Sequence, residues 1–288
     1  MASHPCGLTD VDRQKAIAYI AKCVSNYNAE EQGRPKHDVA LKRRDHAKTI
    51  VIDSFTVVPQ HTNTKNRDIT SLSGDTYLTE MVIEEFMLLT SQIENAGTKR
   101  RNTILHTHFY ATLTRNQRTD RYDYNFDRVK KITHSIFTLG EHLNGDILIP
   151  MQPYRNHWIL GIIRPETREI WVLDFCKNSW PKIGENLLRW CQDEFLFYKR
   201  DFGDRHQWHL KSFQDLPVNA IGVPDHPFQT DGTSCGVFVS IYAFYSMTSL
   251  SWPTVHDFTQ KDVPSLRLFI ASKLLSATVA DVQFDGTH

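Results

Sequence analysis

Gln229-Thr230-Asp231-Gly232-Thr233-Ser234-Cys235-Gly236 (QTDGTSCG) sets two nucleophiles side by side. Gly232-x-Ser234-x-Gly236 matches the elbow of serine hydrolases. Cys235 instead opens onto Gly236 and an apolar run, GVFVSIYAFYSM (236–247). A serine elbow requires a buried strand before it, and an acid and then a histidine after it. The preceding VPDHPFQTD carries two prolines and several polar residues, which argues against a central strand. Beyond Ser234 there are Asp257 and Asp281, but only His256 and the terminal His288. The cysteine fits better. A run that is apolar nearly all round, preceded by a glycine-bearing loop, predicts a buried helix. A thiol in its first turn lies among unpaired N–H groups at the positive end of the helix dipole, which favours the thiolate. The bland alternative is a core cysteine beside an ordinary turn.

A thiolate needs a base, and the base needs an orienting group. His157 directly precedes the strand-like WILGII (158–163), and Asp174 directly follows the strand-like EIWVL (169–173). Arg164-Pro165-Glu166-Thr167-Arg168 can join them as a hairpin. The start of the first strand then lies beside the end of the second, which makes His157 and Asp174 neighbours across the ladder. Asp174 would fix the imidazole tautomer and leave the other ring nitrogen for Cys235. Gln229, six residues before Cys235, can aim its amide at a developing oxyanion, together with the N–H of Cys235. Taken singly, each of these residues is more economically explained as packing or turn chemistry. One geometry satisfies all four together.

The rest of the chain sets bounds on the function. Its 288 residues are 40% hydrophobic and 23% charged, with 33 basic and 33 acidic residues, so no net field points to nucleic acid or membrane. No apolar run approaches a membrane span, and the first residues lack the apolar core of a secretory signal. The five cysteines, Cys6, Cys23, Cys176, Cys191 and Cys235, are scattered and odd in number, which suits a reducing compartment, nucleus or cytoplasm. His106-x-His108 with His134 or His142 is a weak metal pattern, without the H-E-x-x-H helix, and no cofactor is expected.

Helical spacing is expected over residues 10–28, 77–90 (apolar stripe Met81, Val82, Phe86, Leu89), 106–113, 180–197 and 264–275. Ile50–Val58 reads as a strand, and Asp146–Pro150 as a short apolar run ending at its proline. Arg34–Lys48 is basic, a solvated segment or an import signal, and residues 201–228 read as irregular. Residues 1–48 are set apart as a helical extension and basic linker, with the main domain over 49–288. Helices, then strands, then helices indicate an α+β fold.

Six stretches in order, TYLTEMVIEEF (76–86), HFYATL (108–113), GDILIPMQPYRNHWILGII (145–163), IWVLD (170–174), QTDGTSCGVFV (229–239) and LRLFIASKLL (266–275), make the chain resemble the Ulp/SENP family of ubiquitin-like-protein proteases, the deSUMOylase class. The resemblance implies a papain-like cysteine protease core of permuted order, with a mixed or antiparallel sheet packed against helices. It implies Cys235 as nucleophile, His157 as general base and acid, Asp174 as orienting carboxylate and Gln229 as oxyanion donor. It also implies that Trp158 and Tyr77 wall a tunnel for a Gly-Gly tail and that Glu80 meets a basic modifier. The partners would be SUMO or another ubiquitin-like modifier and its conjugates, and the enzyme a monomer. Tyr77 and Glu80 stand where the family has Trp and Asp, Ser234 stands where it often has Asp, and His206–Phe213 suggests an inserted loop. Alternatives are a protease of the same fold acting on ubiquitin, a processing protease of transposon or viral type, a related acyltransferase, and a silent binding module.

Overall fold

Three apolar runs, each too short for a typical helix and bounded by turn residues, form the centre of one sheet. Along the chain come α1 (Asp10–Gln32), α2 (Asn66–Ile69), α3 (Glu80–Gly97), β1 (Thr103–Ile104), α4 (Phe109–Thr114), β2 (Arg115–Asn116), β3 (Arg121–Tyr122), α5 (Lys130–Thr138), β4 (Ile147–Tyr154), β5 (His157–Arg164), β6 (Glu169–Leu173), α6 (Pro181–Phe197), β7 (His209–Ser212), α7 (Cys235–Met247) and α8 (Val263–Phe284). The computed structural model describes residues 7–32, 64–97, 102–116, 121–138, 145–154, 156–199, 203–218, 225–248 and 252–284. The expected strand at Ile50–Val58, the basic segment Arg34–Lys48 and the boundary at residue 48 lie outside them.

The main sheet has the order β1-β4-β5-β6-β7. β4, β5 and β6 are antiparallel neighbours, while β1 and β7 add parallel edges. The fold is therefore α+β with a mixed sheet. Side chains alternate between two cores. Leu148, Trp158, Leu160, Ile162, Trp171 and Leu173 face one cluster with residues of α1, α3, α7 and α8. Ile147, Ile149, Met151, Ile159, Ile163, Ile170 and Val172 face the other, with residues of α4 and α6. Strands buried on both faces need continuous rather than alternating apolar sequence, which is why WILGII reads as it does.

Two expectations about strands change. β4 does not stop at Pro150 but runs on to Tyr154. Leu105 N–H donates to Leu148 O (2.9 Å), so the even-numbered residues of β4 turn their backbone groups toward β1. The N–H that Pro150 lacks falls on that side, where β1 has ended, and no ladder bond is lost. The supposed inserted loop at 206–213 carries β7, the fifth strand, with Glu169–Val172 registered on His209–Ser212.

The helices also differ in detail. α3 begins at Glu80, so Tyr77 precedes it, 40% exposed. Its buried face is Val82, Ile83, Phe86 and Met87, and Glu85 is buried too, because α3 packs against both α7 and α8. The apolar α7 is enclosed along most of its length. α1 lies against α8 and contributes Ala16, Ile20 and Cys23 to the first core. No helix among the described residues is long and apolar enough to cross a membrane.

Candidate active site

Cys235 is the first residue of α7 and is buried. The loop before it is organised by Asp231. One carboxylate oxygen accepts from the N–H groups of Thr233 (3.1 Å) and Ser234 (2.9 Å). The other accepts from Ser234 Oγ (2.5 Å) and from Gln260 Nε2 (2.8 Å), in the turn before α8. Burial pushes the Asp231 carboxyl up, but the bonds from Ser234, Thr233 and Gln229 outweigh it and hold the carboxyl below its usual range. The Ser234 hydroxyl is thus a bolt on the loop, itself buried. The serine and the cysteine of this stretch have separate tasks.

Gly236 is where backbone and neighbour come closest. A Cβ on it would lie 3.0 Å from both Leu78 Cβ and Ile83 Cδ1. Leu78 is fixed from another side by Trp158, whose Nε1 donates to the Leu78 carbonyl (3.3 Å). Arg267 of α8 donates to the carbonyls of Ser71 (2.8 Å) and Thr76 (2.6 Å), and so steadies the chain just before Tyr77. Trp158 itself is only 3% exposed.

His157 begins β5 and Asp174 follows β6. Extending the register Leu160↔Leu173 sets Ile159 opposite Asp174, so His157 stands one diagonal step away. Its Nε2 lies 3.0 Å from Asp174 Oδ2. That leaves Nδ1 unclaimed by Asp174, and the Cys235 thiol stands near enough to the ring to favour its protonated form. The Asp174 bond and the Cys235 thiol outweigh burial and raise the imidazole to about 9. Asp174 is fully buried, and burial raises it. Donors from His157, Trp180 Nε1 (2.7 Å), Asn178 Nδ2 (3.0 Å) and the Cys176 N–H (2.8 Å) more than compensate, so it is held below the usual carboxylate range. The ring carries a proton at neutral pH and the carboxylate does not.

Gln229 lies beside this pair, its N–H bound to Phe175 O (2.9 Å). Its amide nitrogen donates to Asp231 O (2.8 Å) and Oδ1 (3.0 Å), and its Oε1 accepts from Cys176 Sγ (3.5 Å). Both amide protons are therefore spent on the loop. Glu80, at the start of α3, pairs with His108 Nε2 (3.3 Å), and Glu84 with His106 Nε2 (3.2 Å). His134 meets the Tyr198 hydroxyl (2.7 Å). The histidines of the weak metal pattern that lie among the described residues thus have other partners, and His142 lies outside.

The structure gathers Cys235, His157, Asp174 and Gln229 into one constellation, with Trp158, Tyr77 and Glu80 on the adjoining Leu78 segment or bound to it. Sequence reading missed Asp231, Gln260, Asn178, Trp180 and Cys176. A signal existed for the turn residues, since an Asp at a strand end commonly accepts an N–H two residues on.

Residues 76–280 match the model of the Ulp1 protease family, C-terminal catalytic domain. A ubiquitin-like-specific protease 1A from Arabidopsis thaliana is 28% identical over 227 residues, covering 76% of this chain, which spans 41% of that protein's length. The SUMO protease Ulp1 with its catalytic cysteine oxidised to a sulfinic acid superposes with a TM-score of 0.61 at 19% identity, covering 96% of this chain and 99% of that one. The C-terminal Ulp1 protease domain in complex with Smt3, the yeast orthologue of SUMO, gives 0.60 at 18%, covering 94% and 97%. At such identities the superpositions speak for the fold alone, and the family match, over most of the chain, speaks for descent. The chain belongs to the Ulp1 protease family.

Proposed function

We propose that this protein is a thiol isopeptidase and endopeptidase that cuts after the C-terminal Gly-Gly of SUMO or a related ubiquitin-like modifier, acting as a monomer. The observation that carries this function is the hydrogen-bonded pair Asp174–His157 set beside Cys235, the first residue of a buried helix. Cys235 Sγ attacks the carbonyl carbon of the terminal glycine. The imidazolium of His157 is the counter-ion a thiolate needs, and Asp174 holds the ring in place. The oxyanion that forms is met by the N–H of Cys235, free of an intrahelical acceptor in the first turn. Gln229 joins it by turning its amide away from Asp231, each such donor being worth about 3–4 kcal/mol. His157 gives its proton to the leaving amine, and a thioester forms. Water then attacks, His157 takes its proton, and the modifier leaves with a free carboxylate.

Specificity for glycine follows from exclusion. Leu78 is pinned by Trp158 on one side and lies close against Gly236 on another, and a passage beside it walled by Trp158 and Tyr77 would admit glycine and exclude larger side chains. Glu80 offers a carboxylate at the rim to a basic residue of the modifier, which must displace His108 to reach it. That the Ulp1 protease domain, of the same family, is seen in complex with Smt3, the yeast SUMO, supports this substrate class.

The test uses SUMO, ubiquitin and other Gly-Gly modifiers carrying a C-terminal electrophile. The expected result is a covalent adduct with one modifier class, seen as a mass shift and abolished by Cys235→Ala. Labelling that survives in Cys235→Ala, or no labelling of folded protein by any probe, overturns it.

A further inference from the structure

One thiol beside the site has no part in the proposed hydrolysis. Cys176 lies in the turn leaving β6, two residues after Asp174, and is exposed. A ring nitrogen of His157, a carboxylate oxygen of Asp174 and Cys176 Sγ all lie within 4.8 Å of one another.

We propose that His157, Asp174 and Cys176 form a site for a zinc-class divalent ion, and that its occupancy switches the enzyme off. The regulatory half of this proposal rests on the function proposed above; the binding half does not. The donor set is one imidazole, one carboxylate and one thiolate, the mixture that zinc takes in four-coordinate sites. A fourth position stays open for water. Tetrahedral bonds of about 2.0–2.3 Å set ligand atoms about 3.3–3.7 Å apart. His157 Nε2 and Asp174 Oδ2, at 3.0 Å, stand a few tenths inside that spacing. The sulfur closes from the other side by rotation of an exposed side chain, giving up its long contact to Gln229. The ion takes the place of the proton shared by His157 and Asp174. Trp180 and Asn178 still hold the carboxylate, as outer-shell donors hold a ligating group. With Nε2 on the metal, His157 is no longer the imidazolium that Cys235 and the leaving amine require.

Binding is read without substrate, on the full chain carrying Cys235→Ala and kept reduced with a phosphine. Cobalt(II) titration is expected to give a sulfur-to-cobalt charge-transfer band saturating at one equivalent and displaced by zinc(II). Adding Cys176→Ser removes the band. In protein with Cys235 intact, Cys176→Ser still labels with the modifier probe. It needs at least about 10-fold more zinc(II) for half-inhibition, since even an outer-shell partner brings a loss of that size. No band in Cys235→Ala, a band that persists after Cys176→Ser, or unchanged zinc sensitivity in Cys176→Ser overturns the proposal. Because the cobalt arm needs no turnover, a failed metal site and a failed protease assignment give different results.

Discussion

His157 carries two opposite demands, and Asp174 settles them. A half-buried imidazole would by itself lose its proton, yet the bond to Asp174 and the nearby Cys235 thiol hold it at about 9. The proposed mechanism runs on the protonated ring, so the alkaline limb of kcat/KM should fall near pH 9. Asp174→Asn removes the first of these and should draw the limb back by about two units, toward the ordinary histidine range. A pH profile on a fluorogenic modifier substrate measures this, and a limb left near 9 would assign it to another group. The pairing of His157 with Asp174 was legible in sequence because two apolar strands fix a hairpin and a hairpin fixes which ends meet. The loop bolt was not. Asp231, Ser234 and Gln260 look like ordinary turn residues, and the bond that ties the loop down, from Gln260 to Asp231, joins two turns that no local pattern connects.

Elements were legible in proportion to how much apolar surface they bury. β5, β6, α6 and α7 are found close to where the sequence sets them. β7 was missed because its residues, His209-Leu210-Lys211-Ser212, are exposed or half-buried on an edge, where polar sequence is tolerated. α3 starts three residues later than its periodicity suggests, because the carbonyls of Thr76 and Leu78 are taken by Arg267 and Trp158 instead of by a helical turn. The junction between α7 and that segment yields a sharp expectation. Gly236→Ala puts a methyl 3.0 Å from Leu78 Cβ, which cannot swing aside as a side-chain tip would. Overpacking of this kind should cost about 1–3 kcal/mol in urea unfolding and reduce probe labelling by displacing Leu78. Wild-type stability and labelling in this variant would mean that the junction is looser than drawn.

At the scale of the molecule, one sheet separates two cores, and the second holds a buried acid. Glu194 of α6 is inaccessible to solvent; it accepts from Trp190 Nε1 (3.2 Å) and from Thr133 Oγ1. Burial raises its carboxyl from 4.5 to about 8. A raised folded value means the folded state keeps a proton that the unfolded chain releases. Its contribution is complete below about pH 4.5 and is lost progressively as pH rises to about 8. Stability by chemical denaturation should therefore decline across that window, and Glu194→Gln should flatten the decline. A decline of the same slope in the variant would exclude Glu194 as its source.

Leu78, Trp158 and Gly236 come from three distant stretches of chain and are interlocked beside Cys235. A larger side chain at Gly236 presses on Leu78, and Leu78 is held by Trp158, so substitutions among the three should rarely be tolerated one at a time. Glu80, two residues from Leu78, escapes that lock: its half-exposed carboxylate pairs with His108 at the surface. As duplicated copies of such a gene diverge, the interlocked trio should be inherited nearly unaltered, while Glu80 is left to vary with whatever each copy comes to act on.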